Sequence, residues 1–130
     1  MGQALRDGAM DNYTKDELEE ALRIVSSVIS RCEKMQPKFV EGTSQHTLLK
    51  NRIKALCISK SLIINQNVTD QYTIEELTEA IRPVSSIISK CQKAQLKFTG
   101  GTPHHTRFKH MIKAMTISKS LITLEIGKID

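Results

Sequence analysis

The chain has 130 residues, 39% of them apolar and 25% charged, with a formal net charge of +5. That length suits one globular domain, and the composition excludes a disordered or low-complexity chain. Three cysteines without a CxxC pair (Cys32, Cys57, Cys91) exclude a disulfide framework and a cysteine zinc site, and fit a cytoplasmic setting.

An internal repeat dominates the chain. A shift of 59 residues lays Tyr13–Ile63 on Tyr72–Ile122 with 31 of 51 positions identical. The expected organisation is an N-terminal extension (1–12), repeat one (13–64), a polar linker (65–71), repeat two (72–124) and a C-terminal tail (125–130).

Each repeat opens with a capping box, Thr14 with Glu17 and Thr73 with Glu76. Leu18, Leu22, Val25, Ile29, Cys32 and Phe39 then fall on a 4–3 alternation with Gln36 in its polar slot. Leu77, Ile81, Val84, Ile88, Cys91, Gln95 and Phe98 repeat it. The spacing predicts a helix of about 26 residues, ended by Gly42 or Gly101. Pro83 falls inside the second copy, where a bend rather than a break is expected because the pattern stays in phase.

Thr43 and Thr102 read as N-caps of a second helix, and Pro103 takes the first helical position. Leu49, Ile53, Leu56, Ile58 and Leu62 give that helix an apolar stripe wider than one seam, matched by Phe108, Ile112, Met115, Ile117 and Leu121. Two such hairpins bury their stripes against each other, so the expected fold is all-α, a pseudo-symmetric four-helix bundle. The outer part of the stripe (Ala55, Ile58, Leu62 and Ala114, Ile117, Leu121) has two outlets, the intrachain core or a second seam between chains, and it motivates an expected homo-oligomer.

Charge alternates along the chain. Residues 1–30 sum to −3 and 31–64 to +5, then 65–89 to −3 and 90–124 to +7. Thr43, Thr47, Lys50 and Lys54 line one edge of the second helix from its cap, as do Thr102, Thr106, Lys109 and Lys113. Lys34 and Lys38, with Lys93 and Lys97, approach from the preceding helix, and His46 and His105 occupy the third helical position. Free N–H groups, hydroxyls and cations are the ingredients of an anion site.

Acidic positions kept in both repeats are confined to the first turns, and no repeated acid–base pair converges. The expected protein is therefore not an enzyme and uses no cofactor or metal. It binds a phosphate-bearing small molecule at the GTxxHT turns, with nucleic acid or a purely structural role as alternatives, and no membrane partner is expected.

The stretch SRCEKMQPKFVEGTSQHTLLKNRIKAL resembles a group of short helical-hairpin proteins of Gram-positive bacteria and their phages, which share a C-E-K, G-T-x-Q-H-T, R-I-K-A-L pattern. The similarity covers both repeats and departs in the second at Gln92, His104 and Met111. The resemblance implies a helical hairpin per repeat and places weight on GTxxHT. A phage-type protein that sequesters a nucleotide fits that size and duplication.

Overall fold

The computed structural model describes residues 13–64 and 71–129. Four helices make up the fold: α1 (Lys15–Met35), α2 (Ser44–Ile63), α3 (Ile74–Gln95) and α4 (Pro103–Ile129), with a short 3-10 turn (Gln36–Lys38) after α1. The fold is all-α, a four-helix bundle, and no strand occurs among the described residues. The expected extension (1–12) and nearly all of the linker (65–71) lie outside the described residues.

Both capping boxes form. Thr14 Oγ1 accepts the Glu17 N–H at 3.0 Å while Glu17 Oε1 accepts the Thr14 N–H at 2.8 Å. Thr73 and Glu76 repeat this at 3.1 and 2.9 Å. Each box satisfies two otherwise orphaned donors.

The first helix of each hairpin is shorter than its apolar pattern. It ends at Met35 or Gln95, so the expected length of about 26 residues gives way to 21 and 22. Gly42 and Gly101 do not end these helices. They sit at φ +93° and +92° immediately before the next caps, where the chain must reverse. In repeat one Pro37 follows the last turn and cannot extend the ladder. Leu96 at the same place in repeat two allows only an i→i−2 cap contact to Ala94. The helix α3 runs unbroken through Pro83, whose ring is buried.

The expected seam is buried at Val25, Ile29, Cys32, Leu77, Val84 and Cys91, but the buried face is broader than the seam. Ala21, Ile24, Val25, Val28, Ile29 and Cys32 are buried in α1, and Leu77, Ala80, Pro83, Val84, Ile87 and Cys91 in α3. Leu22, Ile81 and Ile88 flank this face and are only partly buried. The broadening follows from the packing: α1 and α3 each lie against both α2 and α4, so a face wider than one seam is covered.

The central pair is α2 and α4. Each packs against all three other helices, whereas α1 and α3 share no comparable contact. This answers the question raised by the wide stripe. Ala55, Ile58, Leu62, Ala114, Ile117 and Leu121 are all buried within the single chain, so the stripe gives no ground for a seam between chains. Ser59 and Ser118 are also fully buried on these faces, and each hydroxyl donates to the carbonyl four residues back (Ala55, Ala114) at 2.9 Å. That internal bond lets a small polar residue sit in the core without an unmet donor.

The segment expected as a tail, 125–130, is helix as far as Ile129. Glu125 is buried and its carboxylate meets Lys128 Nζ at 3.3 Å, one turn on, while Ile126 packs on the core. A single Gly127 is too weak a breaker to stop a helix held by such packing.

Candidate functional site

Pairs between hairpins fix how the bundle is strung. Tyr13 Oη donates to Ser120 Oγ at 3.1 Å, Lys113 Nζ meets Glu17 at 2.7 Å, and Glu20 and His110 line one cleft. Numbers rising along α1 meet numbers falling along α4, so these helices are antiparallel. Hairpin partners are antiparallel too, which puts both GTxxHT turns at one end of the bundle. The twofold counterpart of Lys113–Glu17 is Lys54–Glu76 at 2.6 Å.

Charge follows that topology. The shared turn end carries ten cations, Arg31, Lys34, Lys38, Lys50 and Arg52 with Lys90, Lys93, Lys97, Arg107 and Lys109, against Glu33 and Glu41. The repeated carboxylates of α1 and α3 lie toward the far end. The turn end is strongly positive while the other described residues balance eight cations against eight carboxylates, and the positive end would hold up local anion concentration.

The expected site residues divide. Thr43 and Thr102 are the caps, but their hydroxyls are fully engaged. Thr43 Oγ1 donates to the Val40 carbonyl at 2.7 Å and accepts the His46 N–H at 3.3 Å. Thr102 does the same with Thr99 at 2.8 Å and His105 at 3.3 Å. Lys54 and Lys113 leave the group altogether, since their ammonium groups are held by Glu76 and Glu17 of the other hairpin. Those carboxyls are held below the usual range, first by the lysine and then by the capping bond. Lys34, Lys38, Lys50, Thr47, Lys93, Lys97, Lys109 and Thr106 are exposed at the basic end, with His46 and His105 partly buried. In repeat two the turn is further tied by Gln95 Nε2, which donates to the His105 carbonyl at 3.2 Å, and by Phe98 stacked on His104 at 4.8 Å.

One residue that the repeat pattern did not single out changes the picture. Arg52 lies partly buried on α2, and its Nε and Nη2 are inaccessible and without a hydrogen-bond partner. Its charge reaches both Cys32 and Cys91, and so does that of Arg31. Arg52 therefore sits at the basic end, on α2, within electrostatic reach of the seam cysteines of both α1 and α3. Burial pushes both thiols up, and the two arginines oppose that shift. Repeat two has Met111 at the position of Arg52. The signal available in the sequence was this break of an otherwise kept pattern: of the ten cations only Arg52 and Arg107 lack a counterpart, facing Met111 and Leu48, and of these two Arg52 alone is partly buried.

Two equivalent clefts flank the middle of the bundle. One, about 360 Å³, lies between α2 and α3 and is lined by Asn51, Lys54, Glu76, Glu79 and Pro83. The other, about 230 Å³, lies between α1 and α4 with Glu17, Glu20, Ile24, His110 and Lys113. Both are floored by an alanine and an isoleucine, and both are crossed by the ion pairs above. A residue census taken one repeat at a time cannot find the Glu20–His110 approach, because it joins different repeats.

The chain matches no family model, no curated protein and no solved structure in comparisons with known proteins. The resemblance to Gram-positive and phage helical-hairpin proteins thus rests on the quoted motifs, and the functional reading rests on the site itself.

Proposed function

We propose that this protein is a non-enzymatic anion-binding bundle that holds a phosphate-bearing ligand, such as a nucleotide, at its basic end. The observation that supports this reading is Arg52. A partly buried guanidinium with two enclosed, unpartnered nitrogens costs folding free energy, on the order of 1–3 kcal/mol, unless something accepts their protons. An arginine fork is suited to a phosphate, which takes two parallel N–H donors. The exposed lysines of both turns and the amino termini of α2 and α4 supply further positive potential around it. The Thr43 and Thr102 hydroxyls serve this site by fixing the turns, and Lys54 and Lys113 serve the fold.

Arg52→Met, which copies the residue of repeat two, separates this reading from a structural one. Without ligand the variant is expected to melt higher than the parent, because two enclosed, unmet donors are replaced by an apolar chain of similar reach. With ATP as probe, the parent's melting temperature rises with concentration and the variant's does not. A variant that melts lower and keeps the ATP response refutes the assignment.

A further inference from the structure

We propose that the phosphate taken by the basic end belongs to a lipid headgroup, and that this end docks on an anionic bilayer surface; the proposal rests on the anion-binding reading above. The sequence reading expected no membrane partner, and no helix among the described residues is long and apolar enough to cross a bilayer. A protein that lies on a surface needs no such span.

The turn end combines two features that a soluble phosphate does not require together. Large apolar side chains stand out from both turns: Val40 is 74% exposed and Leu96 is 87% exposed, the two most exposed large apolar residues described. Met35 at 46% and Phe98 at 37% stand beside them. Around these tips lies the excess of ten cations over two carboxylates. Glu41, next to Val40, is the one acid within that turn.

Exposed apolar tips ringed by lysines match the layered chemistry of an anionic leaflet, where headgroups meet acyl chains. The two turns emerge at the same end, so both tips can enter one plane, while the far end, whose charges balance, is directed away from the surface. Charge complementarity thus selects the occupant: a neutral apolar partner leaves the lysines without a role, and a duplex nucleic acid leaves Val40 and Leu96 in water.

The full chain is sedimented with phosphatidylcholine vesicles and with vesicles containing phosphatidylserine, at rising salt. Binding is expected only to the anionic vesicles, weakening as salt rises. Replacing Lys38 and Lys97 by Gln should weaken it roughly fivefold per lysine. Val40→Asp with Leu96→Asp should reduce it at least about tenfold, with the melting temperature unchanged because both side chains are exposed. Equal binding by the aspartate variant overturns the insertion of the tips, and equal binding to neutral vesicles overturns the charge argument. An ATP response in solution without vesicle binding overturns this inference and leaves the anion-binding reading in place. Loss of both fails the two together. Salt-dependent binding to duplex DNA without vesicle binding overturns the lipid assignment in favour of nucleic acid.

Discussion

The repeat offers an internal control for the energetics of its core, because Leu18 and Leu77 are the same residue at the same repeat position. Leu77 is fully buried, while Leu18 is only partly covered. The difference traces to length: α4 continues to Ile129 alongside α3, whereas α2 stops at Ile63 and leaves the start of α1 less protected. Truncating a fully buried leucine to alanine removes its transfer free energy and leaves a cavity, a loss of about 2–5 kcal/mol. Leu77→Ala is expected near 3 kcal/mol, and Leu18→Ala at roughly half that, since part of its surface already meets water. For a chain of this size a kilocalorie corresponds to about 3 °C, so the melting temperatures should fall by about 9 °C and about 4–5 °C. Urea unfolding gives the free energies directly, provided the slope is unchanged between variants. Equal losses at the two positions, or a larger loss at Leu18, would falsify the link between helix length and burial.

Glu17 and Glu76 are held below the ordinary carboxyl value of 4.5 by Lys113 and Lys54. A depressed folded-state pKa adds stability above the unfolded value, lost as pH falls through the folded one. The double variant Glu17→Gln, Glu76→Gln should therefore be less stable than the parent above about pH 5, with the two urea midpoints converging below pH 4.5; a constant gap across pH 3–7 refutes the pairing. Gly42→Ala and Gly101→Ala should each cost about 1–2 kcal/mol through backbone strain alone, because a methyl group there meets nothing within 4 Å. The double variant should be close to additive, the two turns being separate, and an unchanged midpoint for either single variant would count against the left-handed backbone assigned to it.

The fold was legible because each of its signals is local. Thr14 with Glu17, Thr73 with Glu76, and Thr102 followed by Pro103 are readable from adjacent residues, and all form as expected. Periodicity also identified the apolar faces, though not their full breadth. Leu22 and Leu18 fit a 4–3 pattern as well as Ala21 does, and only the neighbouring helix decides that Ala21 goes inward. The site was less legible because it is made between repeats. Lys54 looked like part of a turn until its partner, Glu76, came from the other hairpin. Arg52 appears in the sequence only as the first residue of the R-I-K-A-L pattern, and nothing near it reveals that its Nε and Nη2 are enclosed. The tail was misjudged for a related reason: Glu125 and Gly127 carry weak helix signals, and the packing of Leu121, Ile122 and Ile126 overrides them.

The position of Arg52 has a consequence for how the two halves have come to differ. A twofold-symmetric pair of separate hairpins must carry every side chain twice, so an arginine that reaches both cysteines would face an identical arginine related by the axis. Two enclosed guanidinium groups so close would repel, and a single bound anion could not sit evenly between unlike surroundings. Joining the hairpins in one polypeptide lifts that constraint. Repeat one can keep the cation while repeat two supplies Met111, leaving a single enclosed arginine at the basic end, a state closed to any symmetric dimer of identical units.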